Sequence, residues 1–469
     1  MSYSSFINKP TASAYKAIFT LLLVAQTLFP CPVLAVSSQT INSSENFSQQ
    51  YSAVTKKILL SGIELERFSL NFRLENARQP KFRKLRFFLA QETGASCGLA
   101  YEIVGINQTN KGKRRPLKIG KSALQGGLAT AMVGSIIAAT GSTIELGSNL
   151  NQQRQARQHG YDEKSANKFV KDKLKQIDEL IAQREALVTA NESVAGHERA
   201  EIEGSVLRAM RNSFINEYSH FNADIRGNLA FQDLFFFLNA SYNALGAVAA
   251  GVAYEGVSKP KLNGTANILF IVSGGMASVS PLLSSAASKI ARKSAFNSLN
   301  KELNEKPQFD ASAFAAQCKK LEETAGTDSG SLIPSLPATQ RLALYTESDD
   351  LFRKQLDSET KTMRKLDKIA LETSVLGPAI GAQLMTQGIL GTVGYYRYAT
   401  QPRKQISEFF RGSVVGAVGT SMAVVGNAAW LLSSMSYEHR LAREKRLPEQ
   451  LIKSRLEHLA ELEKTISAI

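Results

Sequence analysis

Long apolar, glycine-rich blocks alternate with densely charged ones along the 469-residue chain, and five of those blocks can cross a bilayer. A membrane-crossing helix needs about 20 mostly apolar residues, because its backbone polar groups must be satisfied without water. The blocks run over about 123–148, 235–256, 267–287, 371–395 and 412–436, with Asn239 and Asn243 blurring the edges of the second. The expected fold class is all-α: a polytopic helical membrane protein with about five transmembrane helices. Charged helical-hairpin or coiled-coil arms would lie between the spans, and a small, mostly helical exported N-terminal region would precede them.

Each block is also rich in small residues. Gly127, Gly134 and Gly141 recur every seven residues in the first. Gly377 and Gly381 open the fourth, ahead of Gly388, Gly391 and Gly394, while Gly412, Gly416 and Gly419 mark the fifth. Lipid tails are as apolar as leucine, so helices in a membrane associate through close packing, and stripes of small residues permit it. Gly127, Gly134, Gly141, Gly377, Gly381, Gly412, Gly416 and Gly419 are therefore the helix-packing candidates.

The N-terminus carries the parts of an export signal in order. Lys9 and Lys16 precede an apolar run from Ala17 to Ala25, and Pro30, Pro32 and the small-residue ending Val33-Leu34-Ala35 come after it. A signal peptide over 1–35, or an uncleaved anchor, puts the chain from Val36 onward on the exported side. Residues 36–121 then form a basic exported region, with fifteen Lys/Arg against six Asp/Glu out of a net charge of +15. Counting onward, 149–234, 288–370 and 437–469 fall inside, and the short loops 257–266 and 396–411 outside. Arg154, Arg157, Lys289, Arg292, Arg440 and Arg443 give the inside flanks the expected basic bias. Lys111, Lys113, Arg114, Arg115, Lys118 and Lys121 break that rule, since they abut the first span from outside. They are the candidates for contact with lipid headgroups or a wall polymer. The location expected is the bacterial inner membrane.

Between the spans, Val170, Leu174, Ile177 and Ile181 trace the apolar face of a helix over 162–190, opened by Asp162 and Glu163. Gly196 punctuates before a second helical run at 198–221. Residues 309–324 and 338–368 resemble that pair, and Ile452, Leu456, Leu459 and Ile466 repeat the stripe in the tail. The basic junctions Arg154–Arg157, Lys289–Arg292 and Arg440–Arg443 suggest a repeated span–arm–span unit. On that reading the units are 122–257 and 258–396, with a last span and charged tail at 397–469.

Motifs for chemistry are few. Gly120-Lys121-Ser122 resembles the end of a phosphate loop, but Arg115 occupies the required upstream glycine position. The five histidines share no metal spacing, and Cys31, Cys97 and Cys318 form no zinc or disulfide framework. No catalytic, cofactor or metal residues are assigned, and no enzyme activity or nucleic-acid partner is expected. The function expected is a non-enzymatic integral membrane scaffold or envelope-complex subunit. Its partners would be membrane lipids, other membrane or envelope proteins, and a second copy of itself. The alternative is a transporter or channel subunit, with Glu145, Glu255 and Glu372 as pathway residues at membrane depth.

Overall fold

The computed structural model describes residues 43–77, 82–114, 119–192, 196–303, 309–325 and 378–468. The leader, Cys31, Arg115, Lys118, Glu372, Gly377 and the helical stretch expected at 338–368 lie outside them. The chain divides into two units, Met1–Phe47 and Ser48–Ile469, and of the first only the opening of α1 is described. The described elements are α1 (Ser43–Ala77), α2 (Arg83–Arg114), α3 (Lys121–Gln158), α4 (Glu163–Thr189), α5 (His197–Gly256), α6 (Asn263–Leu303), α7 (Ala311–Ala325), α8 (378–397), α9 (Pro402–Arg443) and α10 (Pro448–Ser467). No strand occurs among the described residues.

Four helices, α3, α5, α6 and α9, are long and apolar enough to cross a membrane. Their polarity is inverted relative to a water-soluble bundle. Val133, Ile136 and Ile144 of α3, Ile268, Val272 and Leu282 of α6, and Val418, Val425 and Leu432 of α9 are exposed. The residues turned inward are mostly small or polar: Gly134, Ser142, Asn239, Ser273, Gly416 and Thr420 are all buried. An outward apolar belt over a small-residue interior is the arrangement a lipid solvent favours. Pro281 sits inside α6, which runs unbroken from Asn263 to Leu303. Membrane helices tolerate such a proline where neighbouring groups satisfy the freed carbonyl.

The helices of the bundle close a ring, each antiparallel to its two neighbours. Gly94 and Cys97 of α2 meet Gly134 of α3, and Ser142 of α3 donates to Asn239 of α5 at 2.6 Å. Ser273 of α6 donates to the Tyr242 carbonyl of α5, and Gly274 packs against Gly381 and Met385 of α8. Gly412 and Gly419 of α9 face Gln387 and Gln383 of α8, and Ser413 of α9 meets Gly105 of α2, which closes the circle. Short connections, including 257–262 and 398–401, join these helices pairwise as α2–α3, α5–α6 and α8–α9, and the helix ends so joined all lie at the same end of the bundle.

At the other end stands a helical domain. Ile58, Leu65 and Phe72 of α1 share a core with Val170, Leu174, Ile177 and Ile181 of α4 and with Val206 and Ile215 of α5. Leu299 of α6 and Phe314 and Leu321 of α7 complete it. On its other side α1 buries Ile63 and Leu70 against Ile452, Leu459 and Ile466 of α10. The 60-residue α5 belongs to both parts: at about 1.5 Å per residue it extends from the far edge of the ring into the domain. Asp162 caps α4 by accepting from the Ser165 amide, and Gly196, at φ 92°, makes the left-handed entry to α5 that a side chain would resist.

This arrangement corrects one expectation. The two helices described within 36–121 part company: α1 is built into the domain, while α2 runs along α3 and α9 for the length of the ring. α1 and the arms therefore do not fall on opposite sides, because they share one core. The physical reason is that α2 packs as a further antiparallel pass of the ring, between the apolar helices α3 and α9.

Candidate functional site

The glycines singled out for packing sit at helix contacts wherever they are described. A side-chain carbon at Gly127 would meet Tyr101 and Val104, at Gly141 Ala90, and at Gly381 the Ser278 backbone and hydroxyl. Gly412 and Gly419 face α8, and Gly416 faces both α8 and α2. Lys111, Lys113, Arg114 and Lys121 gather at the turn end, where Lys113 lies 3.4 Å from the ring of Phe410. Of the pathway carboxylates, Glu145 is fully buried at the domain end, 2.7 Å from Arg86 and 3.2 Å from Arg83. Glu255 is exposed at the opposite end in an ion pair with Lys259, 3.2 Å away. The structure therefore does not bring Glu145 and Glu255 together.

The carboxyl buried without an ion-pair partner inside the ring is one that sequence reasoning misses. Glu102 of α2 is 2% exposed, where α2, α8 and α9 meet. Its Oε1 accepts from Gln387 Nε2 at 2.5 Å, and the Ser413 hydroxyl of α9 stands beside it. Its Oε2 is buried and accepts no hydrogen bond, and Glu102 has no ion-pair partner among the described residues. Gly416 makes the room: a side-chain carbon there would lie 2.6 Å from the Glu102 carboxyl and 2.6 Å from the Gln387 amide oxygen.

The same seam continues toward the domain. Gln383, one turn from Gln387, donates to Met422 Sδ at 3.4 Å and leaves its Oε1 buried without a donor. Beyond it Glu92, on α2 beside Asn427 of α9, has a buried Oε2 in the same condition. Glu92 and Glu102 are ten residues apart on one helix, a rise of about 15 Å.

The domain holds other polar groups, but they are used structurally. Arg184 and Glu203, each 1% exposed, pair at 3.1 Å, and Tyr51 donates to the same Glu203 oxygen at 2.6 Å. Arg184 also donates to the Ala200 carbonyl at 3.0 Å, so α1, α4 and α5 are tied at one point. A cavity of about 140 Å³ elsewhere in the domain is walled by Ile58, Leu207, Phe214 and Phe314, with Glu66 and Arg455 among its polar lining. Among the described residues no cluster of His, Cys, Asp or Glu could hold a metal ion. No protein-family model matches this chain, and no curated protein resembles it in sequence.

Proposed function

We propose that the protein is a membrane scaffold or envelope-complex subunit, in which the helix ring anchors and orients the helical domain. The observation that supports this is the continuity of α5 and α6 from ring to domain, which couples the two through unbroken helices rather than a linker. The domain's buried Arg184 and Glu203 are paired with each other and buried Arg199 donates to the Thr324 carbonyl, so the exposed charges are the groups free to meet a partner. Lys168, Lys171 and Lys175 form one such exposed row on α4, the last also 3.8 Å from Glu179 in a solvent-exposed pair that a partner's charge can replace.

The proposed orientation turns the three hairpin tips inward and exports the domain. In sequence, 111–121, 257–262 and 397–404 carry eleven Lys/Arg and no Asp/Glu, whereas 149–234 carries twelve Lys/Arg against thirteen Asp/Glu. Basic short loops stay on the cytoplasmic side. An export signal before α1 agrees, because α1 belongs to the domain, and the conflict over 111–121 disappears once α2 is counted as a crossing. The membrane proposed is the bacterial inner membrane.

Cross-linking in native membranes tests the function. The chain is expected in an assembly larger than a monomer, and reversing Lys168, Lys171 and Lys175 to Glu should release it. A chain that is monomeric before and after the change refutes the scaffold reading. The second reading, a transporter or channel subunit, finds its support at the Glu102 seam rather than at Glu145 or Glu255.

A further inference from the structure

The seam between α2, α8 and α9 is short of one kind of group. Glu102 Oε2, Gln383 Oε1 and Glu92 Oε2 are buried oxygens that accept no hydrogen bond. The Ser413 hydroxyl beside Glu102 and the Asn427 amide beside Glu92 are neutral donors that bring no cation to either carboxyl. A buried acceptor left empty costs about 1–3 kcal/mol, and an ionised carboxylate away from water and without a cation costs several. Nothing that faces Glu102 supplies the positive charge. On α2 its neighbour Tyr101 is a phenol, on α8 it meets Gln387, and on α9 Ser413. The nearest described cation along α9, Arg411, is paired with Glu408 at 2.9 Å, toward the turn end. The missing partner is a donor small enough to fit on a carboxyl oxygen.

The geometry points to a proton-binding seam, in which Glu102 takes up and releases a proton at Oε2 and Glu92 is the second carboxyl along the way. When Glu102 is protonated, the new O–H neutralises the buried charge, and Oε1 keeps its hydrogen bond from Gln387. When the proton leaves, the carboxylate stays held at Oε1 by that amide. The amide oxygen of Gln383 lies between the two carboxyls in depth, and it can accept from whatever donor moves through. This reading deepens the transport alternative and is independent of what the exported domain binds. Carboxyl groups at membrane depth that face a helix junction rather than lipid are the usual elements of proton relays.

The test uses the full-length protein in vesicles. Infrared difference spectra between acidic and alkaline buffer should show a protonated carboxyl band that shifts in heavy water. Glu102→Gln, which keeps an acceptor for Gln387, should lose that band, and Glu102→Asp should retain it. With a pH-sensitive dye inside and a potassium gradient as the drive, wild-type vesicles should acidify, and Glu102→Gln vesicles should behave like empty ones. Identical spectra for wild type and Glu102→Gln, or equal proton uptake, overturn the proposal. If Glu102→Gln fails to fold, the wild-type chain decides through labelling by a hydrophobic carbodiimide, located by mass spectrometry. Labelling at Glu102 that rises as pH falls supports the site. Absent or pH-independent labelling removes it. Failure here would leave the cross-linking result untouched, so the two readings fail separately.

Discussion

Two buried arginines carry different parts of the structure. Arg184 satisfies Glu203, the Tyr51 hydroxyl and the Ala200 carbonyl at once, inside a core where water cannot replace any of them. Removing one member of a buried pair strands the other, so Arg184→Met is expected to destabilise the domain by about 3–5 kcal/mol. Replacing Arg184 and Glu203 together by apolar residues should recover much of that loss. Thermal unfolding in detergent, followed by circular dichroism, measures both; equal stability of wild type and Arg184→Met would mean the pair contributes little. Arg83 plays the corresponding part where ring and domain join, held against Glu145 and 5.0 Å from the ring of Phe236. In the sequence Glu145 reads as a pathway carboxylate, because its two arginine partners lie some sixty residues away, and no local spacing joins them.

At the scale of the elements, amphipathic helices were the legible part. Val170, Leu174, Ile177 and Ile181 face the core as their spacing predicts, as do Ile452, Leu459 and Ile466. α2 was the part that escaped. Arg86, Gln91, Glu92 and Glu102 dilute its apolar content, so a hydropathy reading assigns it to the exported region. The signal that could have placed it is Gly98, Gly105 and Gly112, repeating the seven-residue spacing of Gly127, Gly134 and Gly141. All three face α9 or the turn beside it: Gly98 meets Thr420, Gly105 meets Ser413, and Gly112 meets Ile119 and Ile406. Glu102 was missed for the same reason, since its depth follows from the helix that carries it. A side-chain carbon at Gly105 would lie 2.6 Å from the Ser413 hydroxyl. Gly105→Val is therefore expected to force α9 outward and to destabilise the bundle by about 1–3 kcal/mol, the usual range for overpacking. Gly126→Val, with open space around it, serves as the control. Unfolding midpoints of the two variants should separate; equal midpoints would argue against close packing of α2 on α9.

The unit Ser48–Ile469 is asymmetric along the ring axis, with basic helix ends at one end and the helical domain at the other. Cysteine labelling with a membrane-impermeant reagent reads that asymmetry directly, in a background with Cys31, Cys97 and Cys318 replaced by alanine. Glu192→Cys, in the turn after α4, is expected to label in intact cells, and Ala399→Cys, in the turn before α9, only after the membrane is opened. The reverse pattern would put the domain inside and reject the export signal. Labelling of both from one side would contradict the ring itself. Closure of that ring also sets an order of manufacture. The last helix of the ring, α9, seals against the first, α2, so the glycine face of α2 and its carboxyl at Glu102 are made long before their partner is synthesised. A ribosome must complete two further hairpins before that face is covered. Until then the seam lies open on its α9 side, so a chain truncated before Pro402 leaves the Glu102 carboxyl and the glycine face of α2 uncovered.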